Sequence, residues 1–409
     1  MNTPALSPKM DIRKSGKRFP PQKRDEITDI AKGIGILLVV ALHCGIGFMA
    51  GVDMPLFFFI SGFFAPTLAK CPFAEGLKRK SVDLLKPTFL YVIFFGVFAF
   101  ILCRLPEVNT ALLQLREINV IRILSRAAEI PKTRFFEWLT PVRVFYDTMT
   151  SWPSQPLASP LWFAPALWAG FVLWFVFRPV FEWYKQSSRN KIIVIAALIF
   201  LYYSAVNGGI PIDINNRLAG WLARAVYAFC FIGFGHIVYR HRDFLLYGKG
   251  QWILWVLALG ALYWKKRYFF HYLPGLMDVR TMFFETKIRP RSFLITFCGI
   301  ALVFLVSRYA AMIRPIKQAF IHIGKESFHI MAIHSVFIWL FWWIFILAVP
   351  DISPYRDTVP IKWLVFLFAV TMSLISVGIC RFLEKTAGKK RAIHVGKTLP
   401  SSMGLSEKS

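Results

Sequence analysis

Ten apolar stretches, at 29–49, 54–69, 88–105, 161–181, 192–206, 220–238, 252–264, 293–307, 328–349 and 362–380, follow one another through a chain of 409 residues. Most approach the run of roughly 20 residues that carries an α-helix across about 30 Å of hydrocarbon. Inside a bilayer every backbone N–H and C=O must be satisfied by the chain itself, which favours helices over open sheet. The expectation is an all-α polytopic integral membrane protein with about ten transmembrane helices and both termini cytoplasmic. The seventh stretch, 252–264, is the shortest and weakest of the set.

Composition agrees. Hydrophobic residues make up 56% of the chain, charged residues only 17%, and the mean hydropathy is +0.52. Soluble domains carry about 25% charged residues. The net charge of +27 would suit nucleic acid, but the Lys and Arg are scattered between apolar stretches. A loop bias that orients the spans accounts for most of it. The loop 265–292 runs against that bias, because it falls on the outer side with Lys265, Lys266, Arg267, Arg280, Lys287, Arg289 and Arg291. Either the seventh span is misplaced or those cations meet an anionic partner. The six cysteines lie mostly within apolar stretches, without a CxxC pair, and read as small buried hydrophobes.

The spans divide the chain into a basic, disordered cytoplasmic tail (1–23), a transmembrane domain (24–385) and a second basic tail (386–409). Segment 70–86 reads as a basic cytoplasmic loop. In 106–160, Leu112, Leu115, Ile118, Ile121 and Leu124 recur at spacings of three, as in an amphipathic helix at the outer interface.

The most informative residues stand in the first span, expected to be helical from Ile30 to Phe48. It carries Asp29, Lys32 and His43, and ionisable groups inside a span are costly enough to mark functional sites. Lys32 and His43 are eleven residues apart, three helical turns with roughly 20° left over. Asp29, Lys32, Ile36, Val39, Val40 and His43 therefore share one face. At about 1.5 Å per residue, His43 lies roughly 16 Å beyond Lys32, which places it about halfway through the bilayer.

Further candidates are Ser61 beside Gly62 in the second span, where small residues more often serve close packing, and Trp162 at an outer interface. Arg224, inside the sixth span, either snorkels or pairs with a substrate charge. His334 lies within the ninth. His236 at the inner end of the sixth span, with Arg240, His241 and Arg242 after it, forms a basic cluster facing the cytoplasm, either a solvated run that orients the span or a contact for CoA phosphates. His329 and His334 do not share a face well, so no metal pair is expected.

The order DIAKGIGILLVVALH, VDMPLFFFISGFF, SPLWFAPALW, GFGHIVYR and HIGKESFHIMAIHSVFI resembles membrane-bound acyltransferase family 3. The branch it is most similar to contains the sugar O-acetylases of the fucose 4-O-acetylase and nodulation-factor type. The likeness runs from about residue 24 to 385. The family's hallmark is a basic residue, ten residues, then a histidine, which maps onto Lys32 and His43; Lys32 stands where the wider family has Arg.

The resemblance implies a membrane enzyme that moves acetyl from acetyl-CoA onto a sugar hydroxyl of an exported, lipid-linked or cell-surface glycan. It implies a multi-pass protein of the bacterial cytoplasmic membrane, with no metal and no cofactor beyond acetyl-CoA as donor substrate, and no nucleic-acid partner. A sugar hydroxyl needs a base to remove its proton, and histidine is the usual choice. His43 is the expected base, with Lys32 and Asp29 setting its surroundings or steering the donor. Ser61, Trp162, Arg224 and His334 are the expected substrate-side residues. A transporter or flippase for a lipid-linked or acylated sugar would also use intramembrane cations, but the chain shows no inverted repeat.

Overall fold

The first helix, α1 (Glu26–His43), begins where Asp25 caps it: the carboxylate accepts from the Ile27 N–H at 3.2 Å and from the Thr28 hydroxyl at 2.7 Å. An N-cap carboxylate satisfies a backbone donor that has no partner within the helix. The helix ends at His43, not at Phe48 as the apolar run suggests. Gly45 takes a left-handed φ of +79°. Its N–H bonds to the Leu42 carbonyl and the Ile46 N–H to the Ala41 carbonyl, a Schellman turn that glycine adopts without strain. His43 is therefore the last residue of α1.

The computed structural model describes residues 25–102, 159–206, 217–264, 290–349 and 358–397, apart from Phe48 and Ala50, together with Phe145, Met149, Pro354 and Tyr355. The expected amphipathic helix within 106–160, most of the cationic loop 265–292 and the tail 1–23 lie outside the described residues.

After α1 come α2 (Asp53–Phe63), α3 (Ala65–Leu68), α4 (Phe73–Lys80) and α5 (Lys86–Leu102). Pro55 stands in the first turn of α2, where a missing N–H is tolerated, so it begins the helix instead of breaking it. The expected basic loop 70–86 is mostly helical. A π-turn at Ser81–Leu85 joins α4 to α5, and the Ser81 hydroxyl accepts from Trp168 Nε1 at 2.9 Å while donating to the Leu77 carbonyl. Lys78, Arg79 and Lys80 are good helix formers, and their charge hid a helix that starts well before its apolar part.

A 3-10 turn at Ser159–Trp162 leads into α6 (Phe163–Val176), followed by α7 (Arg178–Trp183), α8 (Ser188–Val206), α9 (Arg217–Arg240) and α10 (Gln251–Trp264). The chain continues through α11 (Pro290–Ala310), α12 (Arg314–Lys325), α13 (Ser327–Ala348) and α14 (Val359–Lys397), whose last turns lie in the basic C-terminal segment. The described residues contain no strand. Among the described residues, six helices are long and apolar enough to cross a membrane; α2, the 160–176 helix and α10 are apolar but shorter. Each of the apolar stretches picked out in the sequence overlaps a helix among the described residues, although the first stretch outruns α1 by several residues.

Packing centres on α1, which lies against α2, α11, α12, α13 and α14. Where helices touch without the drive of water exclusion, small residues let their backbones approach. At the α1–α12 crossing a Cβ on Gly33 would collide with the Phe320 carbonyl, and one on Gly324 with the Asp29 carbonyl. A second crossing joins α2 to α9, where Gly62 meets the Ile232 carbonyl and Gly235 the Phe59 carbonyl. An ion pair of 2.6 Å between Lys317 and Glu26 holds the N-terminal end of α1 to α12. Cys44, Cys71, Cys230 and Cys298 are buried free thiols and Cys380 is exposed.

Candidate active site

The α1 face read from the sequence is turned inward. Asp29, Ile36, Val39 and Val40 are all buried, Asp29 at 3% exposure. Lys32 Nζ lies 3.4 Å from Asp29 Oδ1, one turn back, and 4.7 Å from the centroid of the Phe64 ring. An ammonium over an aromatic face and beside a carboxylate keeps its charge compensated away from water.

At the far end of the same face, His43 Nδ1 lies 2.9 Å from the Val39 carbonyl. His334 Nε2 lies 3.3 Å from that same Nδ1, and the two rings are 4.9 Å apart between centroids and inclined at 57°. His334 is fully buried, with its own Nδ1 3.0 Å from the Ile330 carbonyl. The contact follows from the fold. Gly324 at the end of α12 sits on the Asp29 carbonyl, and α13 then rises beside α1 in the same direction until His334 reaches the level of His43. Two candidates from distant parts of the sequence thus meet directly.

The other expected residues are distributed around this pair. The Ser61 hydroxyl donates to the Phe57 carbonyl one turn back on α2 at 2.8 Å and has no hydrogen bond to either histidine. That is the usual local bond of a serine in a helix, and it does not activate a nucleophile. Trp162 and Phe58 pack edge-to-face, 6.4 Å between centroids with their planes inclined at 73°, and Trp162 remains half-buried. Phe58 also meets Tyr227 of α9 edge-on at 6.1 Å, which ties the aromatic wall to the helix carrying Arg224. Arg224 is 8% exposed, deeper than a snorkelling residue at a helix end.

Two residues near this region were passed over in the sequence. Asp53, 6% exposed at the start of α2, accepts from the Gly51 N–H at 3.1 Å; an acid in an apolar stretch was the available signal. Lys362 of α14 lies over the turn that follows His43, its Cε 3.2 Å from where a Gly45 Cβ would be. Only the fold brings it there.

The basic cluster after the sixth span resolves differently from its members' proximity in sequence. His236 is buried between Trp174 and Phe181, at 5.8 and 5.2 Å between centroids, with Nε2 3.1 Å from Arg240 Nη2. It packs between α6, α7 and α9. His329 is likewise apart from the His43–His334 pair, 2.8 Å from the Tyr91 hydroxyl. Beside it, Arg381 holds Glu326 through two bonds of 3.2 and 3.1 Å. This polar layer joins α5, α13 and α14 at the Asp29 end of α1.

Chemically, the pair offers a nitrogen base in an enclosed, largely apolar setting, with a compensated lysine further along the same face. A family model described as an acyltransferase domain matches residues 26–382. No curated protein and no solved structure matches the chain.

Proposed function

Because the chain belongs to acyltransferase family 3 and is a multi-pass membrane protein, we propose that it is an O-acetyltransferase of sugar hydroxyls. Acetyl-CoA is the donor, and the acceptor is an exported, lipid-linked or cell-surface glycan of the fucose 4-O-acetylase and nodulation-factor type. The proposed topology is ten crossings of a bacterial cytoplasmic membrane with both termini inside, and it is supported by six helices among the described residues that are long and apolar enough to cross. The Lys32 end of α1 then faces the donor and the His43 end faces the acceptor.

The observation that carries this reading is the His43–His334 contact at the end of a buried α1 face. In the proposed reaction His43 takes the proton of the sugar hydroxyl as its oxygen attacks the thioester carbonyl. The C–O bond forms, the C–S bond breaks, and the departing thiolate takes the proton back from His43. The products are the sugar ester and the free thiol. Transfer is direct, in keeping with the inward bond of the Ser61 hydroxyl. Lys32, paired with Asp29, lies on the donor side of the path. Trp162 supplies an aromatic face for the sugar, and Arg224 a cation for an acidic or phosphate-bearing acceptor.

The test is release of CoA from acetyl-CoA by the purified protein. Release that depends on an added sugar acceptor, with one acetyl mass gained by the glycan, is the expected result. Binding or movement of a lipid-linked sugar without any such release would overturn the reading in favour of a transporter.

A further inference from the structure

The geometry points to His334 as a positioning residue that fixes the tautomer of His43 and aims its proton-accepting nitrogen, through a hydrogen bond from His43 Nδ1–H to His334 Nε2. The inference rests on the acyl-transfer reading of His43 given above and goes beyond it, since His334 was expected among the substrate-side residues.

The direction of the bond follows from the carbonyls. Each ring places Nδ1 within hydrogen-bond distance of the carbonyl four residues before it, Val39 for His43 at 2.9 Å and Ile330 for His334 at 3.0 Å. A carbonyl oxygen only accepts, so both Nδ1 atoms carry hydrogen, and in a neutral imidazole Nε2 then carries the lone pair. His334 Nε2 therefore accepts, and the His43 Nδ1–H is shared between Val39 O and His334 Nε2, 3.3 Å away. The opposite assignment sets the lone pair of His43 Nδ1 against the Val39 oxygen. It also leaves His334 either facing the Ile330 oxygen with a lone pair or charged in a fully buried position. Burial of an unpaired charge costs far more than one hydrogen bond returns.

A consequence for the reaction follows. His43 Nε2 is the lone pair left for the substrate, and no described residue hydrogen-bonds to it. While His43 carries the hydroxyl proton, the added positive charge on its ring is met by two acceptors, the Val39 carbonyl and His334 Nε2. His334 itself neither gains nor loses a proton. This is the logic of the third member of a Ser-His-Asp triad, which holds the imidazole in its working tautomer and stabilises the imidazolium. A neutral ring takes the place of a carboxylate, which would be costly to ionise within a span. His334 can hold this position because it is itself held. It lies on α13, is fully buried, and is pinned by the Ile330 carbonyl.

The experiment compares His334→Gln with His334→Met in the full-length purified protein, measuring kcat and both KM values by acceptor-dependent CoA release. The two replacements have similar length, but only glutamine offers an acceptor oxygen near the place of Nε2, and methionine packs readily in apolar interiors. The expected result is a kcat lowered about 10- to 100-fold by methionine, with both KM values within about 2-fold of wild type, and glutamine restoring most of the loss. Elution profile and thermal midpoint of both variants report folding separately. Wild-type kcat in the methionine variant would overturn the inference, as would glutamine falling as far as methionine while both remain folded. His43→Ala separates the two layers: if it is inactive while His334→Met is fully active, only the role of His334 falls. If His43→Ala itself transfers acetyl normally, the acyl-transfer reading of His43 falls first.

Discussion

Lys362 of α14 lies across Gly45, its Cε 3.2 Å from where a glycine Cβ would stand. The turn that ends α1 is thus held twice, once by the left-handed φ of +79° at Gly45 and once by a side chain packed against the missing Cβ. His43 is the last helical residue before that turn, so the direction of its side chain depends on both. Gly45→Ala is expected to cost about 1–2 kcal/mol from the backbone conformation alone. It should also lower kcat more than the loss of folded protein explains. A kinetic assay normalised to monodisperse protein checks this; unchanged kcat per folded molecule would show that the turn does not position His43.

At the α1–α12 crossing, Gly324 rests on the Asp29 carbonyl and Gly33 on the Phe320 carbonyl. Gly324→Val introduces branched carbons where only backbone fits. Its expected outcome is loss of the monodisperse elution peak, or a thermal midpoint lowered by an amount that corresponds to on the order of 3 kcal/mol. A change of equal size at exposed Ile344 of α13, 51% accessible, should leave both measures near wild type.

The Arg381–Glu326 pair has two bonds in the fork geometry that only arginine offers. Arg381 is half exposed and Glu326 nearly buried, so screening on the arginine side limits the effect to about 1 kcal/mol. Arg381→Lys should lose most of what Arg381→Ala loses, because an ammonium cannot reproduce both bonds. Thermal midpoints of the two variants, measured side by side, decide it. A lysine variant as stable as wild type would show that charge alone suffices.

For Trp162 the account expects a substrate effect. Its ring packs against Phe58 and is half-buried, and stacking on the sugar is the role proposed for it. Trp162→Ala should raise KM for the acceptor on the order of 3- to 10-fold, leave KM for acetyl-CoA unchanged, and be partly rescued by Trp162→Phe. A rise in both KM values to the same extent would mean a general packing defect.

Much of the helix content was legible in the sequence because apolar runs in lipid have few alternatives to helix. Helix ends were less so. The apolar run continues to Phe48, but Gly45 stops α1 at His43, and the signal was the HCGIG sequence rather than hydropathy. Conversely, charge at Lys78, Arg79 and Lys80 disguised a helix as a loop, and α12, polar on one side and packed on α1 through Gly324, offered no span-length run. The shared face of Asp29, Lys32 and His43 followed from helical spacing and is indeed turned inward. Which partner met His43 did not follow from spacing, because His334 lies 291 positions away and only the packing of α12 on α1 sets its level. Lys362 reached its place over Gly45 in the same way.

The central claim is that His43 is the base that takes the proton of the acceptor hydroxyl as the acyl group is transferred to it. Its most direct test is acceptor-dependent CoA release by His43→Ala, purified in parallel with wild type and matched for membrane insertion and elution profile. The account predicts a rate lowered by at least about 100-fold with folding unchanged. A wild-type rate from the folded variant would contradict it.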